Sequence, residues 1–156
     1  MYKEDATHHL VLQDDISFCA DFLVTAERCA SLRPQNPLSF YLPRPIVDRA
    51  ADAGIRWVST GKFQYAQAVL MPVSMVRTFL IWSETIVQPR LFDDERQHMF
   101  FHTIKRRAYT PVPLLVDHLG AEHSLLGHKH PRTSKYIGDA AHAFHLPWHD
   151  LREILE

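Results

Sequence analysis

Two hydrophobic periods share this chain, and their order restricts the fold more than any single motif. In DDISFCADFLVTAERCASLR, Ile16, Cys19, Leu23, Ala26 and Ala30 recur at helical spacing, and Pro34 stops the pattern. After the PQNP turn come IRWVST, FQYAQAVLMPV and VRTFLIWS, rich in aromatic and β-branched residues. Such runs favour strands, and Gly61–Lys62 is placed to turn a hairpin. Helical pattern returns in DERQHMFFHTIKRRA, with acids in the first turn and Lys105, Arg106 and Arg107 in the last. That polarity suits the helix dipole.

Helices around consecutive strands predict an α+β fold. Its expected parts are a small antiparallel β-meander at about residues 55–83, an N-terminal helix from Asp15 to about Leu32, a central helix and a C-terminal helix pair. LSFYLP reads as a short extended segment. RPIVDRAADAG reads as a short helix, with Pro45 near its start and Gly54 just past its end. The acids Asp14–Asp15 and Asp93–Asp94–Glu95 stand where caps belong. Residues 1–156 are expected to form one domain, with a flexible tail over 1–9 and the helix pair over 134–156.

Length and composition narrow the class. A chain of 156 residues, 46% hydrophobic and 22% charged, can build one domain with a core. Seventeen basic residues against eighteen acidic ones leave a formal charge of −1, which gives no global footprint for nucleic acid. The longest apolar run, around Ala68–Val73, is far short of the ~20 residues that span a bilayer. The first ten residues lack the apolar region of a secretory signal. On one helix, Cys19 and Cys29 would stand ~15 Å apart, beyond disulfide reach. Free cysteines predict a reducing, cytoplasmic compartment, and the short apolar runs predict no membrane partner.

Eleven histidines raise the question of a metal. His118, His123, His128 and His130 form a loose cluster, and His98 and His102 are four apart on the central helix. Zinc or nickel takes neutral imidazoles with a carboxylate or thiolate. No H-E-x-x-H or paired C-x-x-C accompanies them, so the expectation is no cofactor, with zinc or nickel as the alternative. Arg96 and His102 stand as R-x5-H. The pair resembles the active pair of the HEPN ribonucleases, a resemblance that implies acid–base work for His102 and phosphate holding for Arg96.

The ending AHAFHLPWHDLREILE carries the other motif. Ala141, Phe144, Leu146, Leu151 and Ile154 have the spacing of two short helices that cross at a tight turn around His145. The stretch resembles a helix-turn-helix over about 20 residues. Lys105, Arg106, Arg107, Lys129, Arg132 and Lys135 outnumber Asp117 and Glu122 in the preceding segment. Lys129, Arg132, Lys135, Trp148, His149 and Arg152 are therefore the candidate contacts for nucleic acid or a protein partner. Asp150 and Glu153 on the same face oppose a phosphate backbone. The leading expectation is a protein-interaction module without its own catalysis: an adaptor, inhibitor or assembly factor, with a homodimer as one arrangement. The alternatives are a nucleic-acid-binding regulator, and a histidine-dependent phosphodiesterase or metal-assisted hydrolase.

Overall fold

Strand-forming segments of this chain do not pair in chain order. The structure, a computed structural model, describes residues 5–42, 45–63, 66–86, 92–119 and 135–155. Its elements are β1 (His8–Leu12), β2 (Ile16–Phe18), α1 (Phe22–Leu32), β3 (Leu38–Ser39), α2 (Ile46–Asp52), β4 (Trp57–Thr60) and β5 (Ala68–Pro72). These are followed by α3 (Val73–Glu84), α4 (Asp93–Thr103), β6 (Ala108–Pro111), β7 (Val116–His118) and β8 (Glu153–Leu155). The fold is α+β. Six strands form one mixed sheet in the order β1-β5-β3-β6-β4-β8, and β2 and β7 form a separate antiparallel ribbon.

Directly opposed residues share a sheet face, so register fixes the layers. Leu10, Leu70, Leu38, Tyr109 and Ser59 lie in one row across five strands. Leu10, Leu70, Leu38 and Tyr109 pack with Phe22, Ala26 and Ala30 of α1 and with Ala143 and Trp148 of the C-terminal segment. Val69, Met71 and Ala108 face the other way, against Phe100 and Phe101 of α4 and Phe79 and Trp82 of α3. Val58 meets Val47 and Ala50 of α2 on that second side. The sheet is thus covered on both faces.

That double cover explains why the expected meander over 55–83 does not form. All four residues of β4 and all five of β5 are buried, which suits central strands rather than a hairpin with one wet face. Two strands, β3 and β6, separate them. VRTFLIWS lies within α3 and is not a strand. Met75, Val76, Phe79 and Trp82 already carried the helical spacing that packs α3 on the sheet. At the other end, α1 begins at Phe22, later than expected, because Ile16–Phe18 pairs with Val116–His118. Within the stretch 1–9 expected as a flexible tail, His8 and His9 stand in β1.

The C-terminal helix pair is absent; residues 135–155 form turns and one short strand. Two interactions claim the backbone that helices would have used. The Asp21 carboxylate accepts the amides of Ala143 at 2.7 Å and Phe144 at 2.6 Å. Trp148, with none of its surface exposed, packs edge-on against Trp57, with ring centroids 6.3 Å apart. Its indole N–H donates to the Ala143 carbonyl, and the Trp57 indole N–H donates to the Trp148 carbonyl. Arg28 donates to the Phe144 carbonyl at 2.8 Å. Beyond this strap, Glu153–Leu155 add to the sheet beside β4.

Trp148→Ala is expected to cost about 3–5 kcal/mol in denaturant unfolding, the usual result of emptying a large aromatic site in a core. Burial alone would raise the Asp21 carboxyl, but the amides of Ala143 and Phe144 outweigh it and hold the group below the usual carboxylate range. A lowered folded pKa means stability that is present above the ordinary aspartate range and is lost as pH falls through the lowered value. Asp21→Ala should lose about 1–3 kcal/mol at neutral pH and should flatten the acid limb of the stability–pH curve. Urea titrations from neutral to acid pH check both effects.

Candidate functional site

Strands β1, β3 and β6 run in the same direction, so their carboxyl ends lie at one end of the sheet. Ligands bind at such ends in open α/β sheets because loops there converge without strand backbone to block them. Here the chain leaves β1 at Gln13 and bends through Asp14 and Asp15 into β2. It leaves β3 through Phe40 and Tyr41, and β6 through Val112 and the cis peptide to Pro113. The β2–β7 ribbon brings the ends together, with Ile16 opposite His118 and the Leu119 amide donating to the Asp15 carbonyl at 2.8 Å.

Asp15 and His118 are the polar pair at this junction. Asp15 Oδ2 lies 3.0 Å from His118 Nε2. The two side chains differ in access: that of His118 is 8% exposed and that of Asp15 is 46% exposed. The Tyr41 ring lies against the His118 ring at 6.3 Å. Asp117, also buried, accepts the His118 amide with Oδ1 at 3.0 Å. Asp15 Oδ1 has no hydrogen-bond partner among the described residues. Asp14, next in the bend, is exposed. Chemically this is a half-exposed carboxylate held at Oδ2 by a buried imidazole, with Oδ1 shielded from solvent. The arrangement suits taking a proton from water or a hydroxyl.

Asp15 had been expected to cap the first helix; instead it faces His118, and Asp21 stands at the start of α1. His118 is the one member of the sequence-proposed metal cluster that the structure describes. His123, His128 and His130 lie outside the described residues, as do Lys129 and Arg132. Among the described residues no three histidine, cysteine or acidic side chains converge as a metal site. His98 is a structural residue here, its Nδ1 accepting the Phe63 amide at 3.2 Å. Arg96 and His102, six apart on α4, point about 120° away from one another, with His102 exposed and Arg96 half-buried.

Among the described residues, the contacts expected at the C-terminus do not form one outward cationic face. Trp148 is buried. Lys135 pairs with Asp52 at 3.1 Å, and Arg152 pairs with Asp150 at 2.6 Å. His149 remains exposed. Among the described residues no helix is long and apolar enough to cross a membrane. No family model matches the chain, and no curated protein matches it.

Both cysteines are free and buried. Burial, reinforced by the Asp21 charge, pushes the Cys19 thiol up to about 12. Burial also pushes the Cys29 thiol up to about 12. Neither is a nucleophile at neutral pH, because the thiolate is the reactive form. The native protein should therefore leave both thiols unmodified by a disulfide reagent at about pH 8, whereas the unfolded chain should titrate both. Rapid modification of either thiol in the native state would contradict this environment.

Proposed function

We propose that the protein is a hydrolytic or group-transfer enzyme that works at Asp15. One observation supports this above the others: a half-exposed carboxylate at the joined carboxyl ends of β1, β3 and β6, fixed at 3.0 Å by a buried histidine. In this reading Asp15 accepts the proton of water or of a substrate hydroxyl as that oxygen attacks an ester or phosphoester; the bond to the leaving alcohol oxygen then breaks, and that oxygen takes the proton back from the Asp15 carboxyl. His118 is a positioning residue. With its Nε2 3.0 Å from Oδ2, it sets the carboxylate rotamer. The reading keeps the hydrolase expectation and moves the working group from a histidine to the aspartate beside it. A regulator reading through a helix-turn-helix has lost the element that motivated it.

A protein-interaction module is the second reading, and exposed apolar residues favour it. Leu80 and Ile81 on α3 are 57% and 68% exposed, and Leu23 and Val24 on α1 are also exposed. No residue of α3 is fully buried. Another protein is the partner such surfaces suit.

A panel of chromogenic phosphodiesters and carboxylic esters tests the enzyme reading. Asp15→Asn keeps the shape and removes the proton acceptor, so turnover should fall by about 10²–10⁴. His118→Gln should lower kcat less and displace the pH–rate profile, as loss of a positioning partner does. Undiminished turnover in Asp15→Asn, or no turnover on any substrate by the wild-type protein, would overturn the proposal.

A further inference from the structure

The sheet has two outer edges, and they are built differently. β8 is three residues long, begins with Glu153 and lies beside Arg152. Its Glu153 is engaged by Arg33 at 2.9 Å. Short length and charge are the features that keep an edge from pairing with another chain. β1 is five residues long and reads HHLVL. It has no proline, lysine or acidic residue, and Val11 and Leu12 are 37% and 40% exposed.

The hydrogen-bond register shows which backbone groups that edge offers. The Gln13 amide donates to Gln67, and the Thr7 carbonyl accepts from Val73. Odd-numbered residues therefore turn their N–H and C=O groups toward β5, and even-numbered ones turn theirs outward. Pro72 agrees with this phase, since it sits opposite His8 at a position where its missing N–H costs no bond. The outward groups are those of His8, Leu10 and Leu12. Among the described residues no backbone bond reaches them from the open side.

We propose that this edge is a self-association surface, on which β1 of a second copy pairs antiparallel about Leu10. The three outward positions are self-complementary: His8 meets Leu12 of the second copy, Leu10 meets Leu10, and Leu12 meets His8. Each pairing is of the hydrogen-bonded type, so a two-fold axis perpendicular to the sheet satisfies every outward donor and acceptor. A strand laid ~4.8 Å from β1 also fills space that is otherwise open. Between β1 and the flank of α1 lies a groove of about 910 Å³, with Leu10, Leu23, Ala26, Ala30 and Leu70 among its walls. Opposed residues share a face, so Leu10 and Leu12 of the second copy enter that groove beside Leu23. The result is one continuous sheet, with both α1 helices on the same face, one on each side of the seam. The surface does not depend on the Asp15 reading.

Sedimentation velocity over a range of concentrations tests this on the full chain. The wild-type protein is expected to show a reversible monomer–dimer equilibrium. Leu12→Pro removes an outward N–H and leaves the β1–β5 ladder untouched, so dimerisation should weaken ~10-fold or more. Val11→Lys places a charge at the seam without altering a core position and should have the same effect. Circular dichroism establishes that each variant is folded. Leu155→Lys, on the β8 edge, should leave the equilibrium unchanged. A wild-type protein that stays monomeric at every concentration overturns the proposal, as does a dimer that survives both β1 substitutions. An edge reserved for a strand from a different protein would give the monomeric result.

Discussion

The edge-on packing of Trp148 against Trp57 is the contact on which the first face of the sheet depends. Trp57 belongs to β4 and Trp148 to a segment about ninety residues later, and each indole N–H is satisfied by a carbonyl of the C-terminal strap. A buried indole without a partner is costly, so these bonds specify the path of the strap as well as fill space. The strap carries Ala143 to the carboxylate of Asp21, the residue before α1, and delivers Glu153–Leu155 to the outer side of β4. Arg33 reinforces the same region from the end of α1. Its guanidinium stacks over Tyr109 at 4.0 Å and Trp57 at 4.8 Å while bonding Glu153.

A chain folded this way separates polar groups tied to backbone partners from those that face solvent. Asp21 and Arg28 sit under the strap, with their partners in backbone groups. Cys19 and Cys29 are shielded thiols in the same core cluster. Asp15 differs: one oxygen is held by His118 and the side chain is half open to solvent. Burial therefore distinguishes the two aspartates, although each lies within a few residues of the start of α1.

Part of this could be read along the chain. α1 from Phe22, α2 with Gly54 beyond its end at φ +66°, and α4 with Asp93–Glu95 in its first turn follow from local rules: apolar spacing, a glycine where φ is positive, and acids at a helix start. The extended character of LSFYLP, IRWVST and AQAVLMP was visible for the same reason. The β-branched and aromatic composition of α3 favours a strand, but the spacing of Met75, Val76, Phe79 and Trp82 is helical, and packing on the sheet follows the spacing. In AHAFHLPWHD the apolar spacing suited a helix pair, but spacing does not reveal that Asp21, more than a hundred residues away, takes the Ala143 and Phe144 amides. The Asp15–His118 pair was hidden in the same way: His118 was grouped with histidines near it in sequence, and Asp15 was assigned to a cap.

The sequence by itself determined the mixture of helices and strands and the places of α1, α2 and α4, because those depend on periodicity and on interactions within a few residues. Only the tertiary structure decided which strands are neighbours, that β1 takes no strand on its outer side among the described residues, that Trp148 is a core residue and that Asp15 faces His118. Those outcomes rest on pairings between distant segments, where a carboxylate or an indole takes whichever partner the register of the sheet brings within reach.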